Sequence, residues 1–453
     1  MIHEDHRAVF RVPPAAGTPP TRMPLGSATA PVDAALPPAG GDRRYLPVML
    51  ALLMSVTIFE GYDVTIFHLC TPDIAHSFRL SDLAVGAIAS FVRLGGMMAF
   101  FVVMAADRVG RRPVVSATVL CYALFTLLTA LSRGLGTFAA FQSLAQLFLS
   151  AEFSVAVIMI SEEFPDRWRG RGVAILNLVG LLGVLMGAAL YAPIAGSAWG
   201  WRGMYCVGVA PLLMVAVMRR RLRETARFAA IRAVRVPLPF VSAFGGSLRA
   251  ALGVLGGPYR GRLALVALLW NSVGMVGAPA VTFFSLYARR DHHWTRAEVG
   301  SAVVLAYAIG TLGHLLAGYL LDRVGRRAAT AAFYVTGALG ILALFQSASH
   351  GAMLAAMVVA VFAFQGARTA TATYSAELFP TEVRATAYSL TVQVLGQLAS
   401  LLTPFTIGAL SRAMGGLGNA VAVVSVGPVI GAALVLLFAP ETRGKSLEEL
   451  AAD

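Results

Sequence analysis

Asp107-Arg108-Val109-Gly110-Arg111-Arg112 and Asp322-Arg323-Val324-Gly325-Arg326-Arg327 are the same hexapeptide, 215 residues apart. A second pattern, Glu-x-Phe-Pro-x-x-x-Arg, recurs at that offset: Glu162, Phe164, Pro165 and Arg169, then Glu377, Phe379, Pro380 and Arg384. Two unrelated patterns sharing one offset mark a duplicated chain, because chance does not preserve the spacing. Both patterns sit between long apolar segments, which points to a repeat built from membrane helices.

Composition agrees. The chain is 57% hydrophobic and 13% charged, with a mean hydropathy of +0.73. An ordinary soluble domain carries about 25% charged residues, so lipid contact must replace the missing charge. A spanning helix needs about 20 mostly apolar residues. Twelve segments qualify: 46–70, 83–105, 113–132, 137–160, 172–194, 201–218, 263–287, 298–320, 328–348, 351–375, 386–410 and 417–438. The expected fold is therefore an all-α membrane protein of twelve transmembrane helices in two pseudo-symmetric six-helix bundles. Residues 1–44 hold eight Pro between Pro13 and Pro38 and read as a disordered cytoplasmic tail. Bundles at 45–218 and 263–438 flank an Arg-rich cytoplasmic loop at 219–262, and 439–453 form a second cytoplasmic tail.

The net charge of +13 does not imply nucleic acid, because the basic residues gather in short loops. With the N-terminus inside, the inside segments hold 27 Lys/Arg and the outside loops 7: Arg79, Arg133, Arg202, Arg289, Arg290, Arg296 and Arg412. That imbalance puts both termini in the cytoplasm, at the plasma membrane of a bacterium. Cys70, Cys121 and Cys206 lack metal spacing and read as packing residues. There is no Gly-x-x-x-x-Gly-Lys-[Ser/Thr] phosphate loop and no His-Glu-x-x-His. The chain reads as no enzyme, with no cofactor and no metal; its energy must come from a gradient.

With these features the chain resembles the major facilitator superfamily over about residues 45–450. Gly318-Tyr319-Leu320-Leu321 followed by Asp322 to Arg327 fits that family's G-x-x-x-D-R-x-G-R-R loop, whereas Val103 stands where the first copy's leading Gly is expected. Within the superfamily it resembles the sugar-porter and metabolite–proton symporter branches. Pro440-Glu441-Thr442-Arg443-Gly444 is similar to their C-terminal motif, Arg223-Glu224-Thr225 to the one after the sixth helix, and Gly61-Tyr62-Asp63 to the first-helix G-Y-D. Two departures speak against a sugar: Gln142 replaces an Arg of the fourth helix, and Trp270-Asn271-Ser272-Val273-Gly274 replaces the seventh-helix Gln and Asn motifs.

Gly110 and Gly325 suit a turn that a Cβ would hinder, and Arg108, Arg111, Arg323 and Arg326 can fork onto carboxylates or helix C-terminal carbonyls. The resemblance implies that Asp107 and Asp322 pair with a neighbouring helix and lock the cytoplasmic side. Glu162, Arg169, Glu377, Arg384, Glu224 and Glu441 then join one gating network.

Ionisable residues within spans are functional candidates by default. Glu60 and Asp63, three apart in the first span, share a helix face. Glu60 lies roughly 21 Å in, at ~1.5 Å per residue. Two close carboxyls in low dielectric suit proton coupling, the role that the resemblance implies for Asp63. Arg93 lies at similar depth on the second span, where a pair with Glu60 or Asp63 is expected. Glu152 and Arg368 complete the set. Arginine on both sides of a cavity suggests an anionic substrate such as a carboxylate, with Gln142, Asn271 and Gln393 among the amides that line it. His314 reads as a packed neutral histidine. The expected activity is proton-coupled symport of a small organic acid by a monomer in the bilayer. A proton/drug antiporter and a non-transporting sensor or scaffold are the rivals.

Overall fold

A computed structural model of the chain describes residues 45–211, 221–225, 255–379 and 390–443, with residues 217, 229, 253 and 387 beside them. Within that range the side chains of Asp107, Arg108, Asp166, Arg167, Arg169, Gly170, Ala278, Val281 and Ala376 lie outside the description.

The two hexapeptides make the turns that their composition demands. Gly110 has φ 111° and Gly325 has φ 115°, where L side chains are strained. Gly110 ends one helix and starts the next, and Gly325 starts the helix that follows the second hexapeptide turn. The first half runs through α1 (Tyr45–Leu69), α2 (Thr71–Phe78), α3 (Asp82–Val109), α4 (Arg111–Ala130), α5 (Leu135–Glu163), α6 (Asp166–Ala195) and α7 (Gly200–Val207). The second runs through α8 (Arg260–Ala278), α9 (Phe284–Asp291), α10 (Arg296–Gly310), α11 (Leu312–Arg323), α12 (Arg326–Gln346), α13 (His350–Glu377), α14 (Leu398–Ala413), α15 (Leu417–Val424) and α16 (Val426–Phe438).

Among the described residues, ten spans are long and apolar enough to cross a bilayer. The sixth of the expected twelve begins in α7, and its residues 212–216 and 218 lie outside the description. The seventh is interrupted by a π turn at Pro279–Phe283 between α8 and α9. Pro279 has no N–H to donate and its ring crowds the preceding turn, which breaks the α ladder there. The eleventh opens on a π turn at Leu390–Val394 and a 3-10 turn at Leu395–Gln397 before α14. This is the expected twelve-helix membrane architecture in two six-helix halves.

The halves meet along two seams, α3 against α14 and α6 against α10. At the α3–α14 seam the backbones touch: a Cβ on Gly86 would overlap the Pro404 carbonyl, and one on Gly408 the Asp82 carbonyl. The apolar core then divides unequally. At the end away from the hexapeptides, one cluster joins Tyr62, Phe138 and Trp201 of the first half to Phe283, Trp294 and Ile341 of the second. At the hexapeptide end each half keeps its own cluster, around Met49 and Met159 in one and around Val266 and Tyr374 in the other. Among the described residues the apolar core joins the halves at one end and divides between them at the other.

Candidate functional site

The hexapeptide end is built twice in the same way. In the first half Arg111 forks onto Glu162 at 2.8–3.2 Å and also donates to the Ala106 carbonyl at 2.9 Å. Thr225 donates to Glu162 at 2.6 Å, and the backbone N–H groups of Arg111 and Arg112 donate to Glu224. In the second half Arg326 donates to Glu377 at 3.1 Å and to the Leu321 carbonyl at 2.9 Å. Thr442 donates to Glu377, and the N–H groups of Arg326 and Arg327 donate to Glu441 at 2.8 and 3.2 Å. Glu224 and Glu441 thus cap the starts of α4 and α12, where orphan N–H groups favour an anion. Burial pushes the Glu441 carboxyl up, but the backbone donors Arg326, Arg327, Arg443 and Thr442 outweigh it and hold the group below the usual carboxylate range.

Each described ion pair at this end joins residues of one half, so in this conformation the motif fastens a half to itself. Asp322 is largely exposed and meets Arg326, at the start of the neighbouring helix α12, at 3.3 Å. Arg323 lies over the Tyr319 ring at 5.4 Å. The side chains of Asp107, Arg108 and Arg169, and all of Arg384, lie outside the described residues.

Charges that do bridge the halves are at the opposite end. Asp73 of α2 accepts Arg289 at 2.7 Å, Arg296 at 2.6 Å and the Tyr191 hydroxyl at 2.9 Å. Asp82, at the start of α3, accepts both Arg290 and, at 2.5 Å, Ser411. Ser285 donates to the Leu69 carbonyl at 2.8 Å. The first half supplies acids and the second supplies arginines. One signal was available in the sequence: Arg289, Arg290 and Arg296 crowd a single loop on the side that should be poor in Arg.

Between the two ends lie the span charges. Asp63, Glu152 and Gln142 are fully buried within the first half, and none of their side-chain oxygens reaches a hydrogen-bond partner. Glu60 is only partly buried, and the charge of Arg368 acts on it across the interface. Arg368 is exposed, and its charge also acts on Tyr307 of its own half. Arg93 does not form the expected pair with Glu60 or Asp63. It lies beside His68 of its own half and Tyr307 of the other, and Tyr307 also feels Arg368. Nor does Arg368 pair with Glu152 or reach the hexapeptide network; among described residues it lies over the Phe364 ring at 5.7 Å. Helix azimuth is the reason: Asp63 turns inward to Gln142 while Glu60, three residues earlier, turns to the seam.

Two amides part company. Asn271 donates to the Ala267 and Leu395 carbonyls at 2.8 and 2.9 Å and accepts the Ala399 N–H at 2.6 Å. Those bonds satisfy backbone groups freed where the eleventh span is broken, so Asn271 serves there as a strut. Gln393 sits exposed on the same π turn. His314 Nδ1 lies within hydrogen-bond distance of the Thr369 hydroxyl, at 2.7 Å. Among the described residues no cluster of metal-binding side chains occurs.

The chain matches the Major Facilitator Superfamily model over residues 53–404 and again over 265–452. It is 25% identical over 393 residues to a putative metabolite transport protein of Haemophilus influenzae, covering 86% of this chain and 95% of that one. It is 27% identical over 376 residues to a 3-(3-hydroxy-phenyl)propionate transporter of Escherichia coli, covering 82% and 88%. The crystal structure of a D-xylose-proton symporter superposes with a TM-score of 0.73 at 17% identity, over 89% of this chain and all of that one. The duplicated halves, the two motif clusters and these matches agree: the chain belongs to the Major Facilitator Superfamily and is a membrane transporter, not an enzyme.

Proposed function

We propose that the protein imports a small organic carboxylate together with protons, with both termini and the hexapeptide loops in the cytoplasm. The orientation rests on the 27-to-7 imbalance of basic residues. With that orientation, the joined core and the Asp73 and Asp82 ion pairs seal the outer side, and the divided cores leave the inner side as the way out.

The observation that carries the substrate class is the placement of Arg93 and Arg368. One comes from each half, both act on Tyr307, and neither has an ion-pair partner among the described residues. Guanidinium groups at membrane depth need a counter-anion, and a planar carboxylate suits their fork. The E. coli relative, whose name specifies an aromatic carboxylate, supports the same class. Glu60 supplies the coupling. As a carboxylate it is the anion facing Arg368; once protonated it releases Arg368 to the substrate. Substrate and proton then travel together, because the carboxylate brings the negative charge that protonation removes from Glu60, and the net charge of the site is unchanged. Asp63 is the second carboxyl that we assign to coupling.

Binding tests this directly. Titration calorimetry with purified protein should detect 3-(3-hydroxyphenyl)propionate, and Arg93→Gln or Arg368→Gln should weaken it by at least about tenfold, the loss of one charge-assisted contact. The neutral amide of the same acid should not compete. Equal binding of acid and amide would remove the carboxylate reading.

A further inference from the structure

One polar group beside Arg93 and Arg368 still lacks a task, the hydroxyl of Tyr307. Arg93 lies on α3, eleven residues after Asp82, and Tyr307 on α10, eleven residues after Arg296. Both helices start at the end where the core is shared. At ~1.5 Å per residue the two side chains therefore sit at a similar depth, roughly 16 Å in.

Two glycines fix the faces. A Cβ on Gly86 would stand 2.2 Å from the Pro404 carbonyl of the second half, and one on Gly300 would stand 2.6 Å from the Ala188 carbonyl of the first. Seven residues make almost two full turns, with a drift of about 20°. Arg93, seven after Gly86, and Tyr307, seven after Gly300, are thus each turned towards the opposite half. Ser90, three before Arg93, agrees: its hydroxyl accepts the Phe405 N–H of the second half at 3.1 Å. Arg368 is held from behind. Its guanidinium lies 5.7 Å over the Phe364 ring, and that ring is wedged against Gly277, where a Cβ would come within 2.5 Å. The charges of Arg93 and Arg368 both act on Tyr307.

The Tyr307 hydroxyl is uncommitted. The residue is partly buried, packs on the shared core and makes no side-chain hydrogen bond among the described residues. The buried tyrosines of this half are engaged by contrast: Tyr287 donates to the Phe345 carbonyl, Tyr334 to Leu269 and Tyr374 to Pro440. A carboxylate presents about four lone-pair sites, and one guanidinium fork fills two. Sites remain for a second arginine and for a hydroxyl that meets the same group.

We infer that Tyr307 is a third ligand of the substrate, its hydroxyl donating to the carboxylate that Arg93 and Arg368 hold. The assignment rests on the carboxylate reading of those arginines and adds that the carboxylate end of the substrate lies against α10.

Titration calorimetry of the full-length transporter tests it with two acids, 3-(3-hydroxyphenyl)propionate and 3-phenylpropionate, which lacks the ring hydroxyl. Tyr307→Phe removes one oxygen and should weaken both by the same factor of about ten, the loss of one hydrogen bond to a charged group. Without ligand the variant should unfold at the parent's temperature, because its hydroxyl has no bond to lose. Unchanged affinity for the acids would overturn the inference. So would a loss confined to the hydroxylated acid, which would put Tyr307 on the ring hydroxyl, or a lowered unfolding temperature without ligand, the mark of a structural bond. Arg93→Gln and Arg368→Gln keep the two readings apart. If they weaken binding while Tyr307→Phe does not, the carboxylate reading stands and Tyr307 alone is excluded.

Discussion

Asp73→Asn is the sharpest perturbation of the seal between the halves. The carboxylate is 11% exposed, and it holds Arg289, 21% exposed, and Arg296, 34% exposed. A charge-assisted hydrogen bond in such a site contributes about 1.5–3 kcal/mol. The Arg296 contact is discounted towards the surface value of about 0.5 kcal/mol because it is a third open to solvent. Tyr191 can still donate to the asparagine carbonyl, so its share is retained. The variant should therefore lose about 2.8 kcal/mol of preference for the sealed state, a factor of about a hundred in the equilibrium. Spin labels at Gly136→Cys and Gly351→Cys read this out in a background free of Cys70, Cys121 and Cys206. A Cβ at either glycine meets nothing within 4 Å, and the two positions start α5 and α13 on the sealed side. Electron–electron double resonance should show a longer-distance population in Asp73→Asn that the parent lacks. Superimposable distance distributions would refute the assignment of Asp73 as the bridge.

Three further outcomes follow from the geometry. Gly408→Leu places a side chain against the Asp82 backbone and should prevent the seal, giving the same longer distances while the protein remains folded; an unaltered seal would show that the α3–α14 approach is not tight. Asn271→Ala leaves the Leu395 carbonyl and the Ala399 N–H unpaired, at about 1–3 kcal/mol each, so the unfolding temperature should fall while the dissociation constant for carboxylate changes less than about twofold; a selective loss of binding would restore Asn271 to the substrate site. Glu441 is held below its ordinary range, so its contribution is present above the unfolded carboxylate value and is lost as pH falls through the folded one. Acid unfolding curves should therefore flatten in Glu441→Gln, and parallel curves for variant and parent would contradict that role.

Much of the fold could be read from the chain because its signals are local. The hexapeptides set the turns at Gly110 and Gly325, and the equal spacing of Arg111 to Glu162 and Arg326 to Glu377 anticipated two matching clusters. The membrane charges were legible as a set but not as pairs. Which way Glu60, Asp63 and Arg93 face depends on helix azimuth, which packing decides. The bridge from Asp73 to Arg289 joins residues 216 positions apart, on different halves, and no periodicity encodes such a contact. The role of the motif residues was legible only in part. Their charges do form a network, but whether it ties halves together or ties each half to itself depends on the arrangement of the halves. The strut role of Asn271 was not legible for a related reason: an amide in a span has the same chemistry whether it meets a substrate or a broken helix.

Proton movement with substrate tests the central claim most directly. Proteoliposomes that hold a pH-sensitive dye are challenged from outside with 3-(3-hydroxyphenyl)propionate, and the rate is read above that of protein-free vesicles. Coupled import predicts internal acidification in the parent, none in Arg368→Gln, and none driven by the external acid in Glu60→Gln. Alkalinisation, or acidification that persists unchanged in Glu60→Gln, would contradict it.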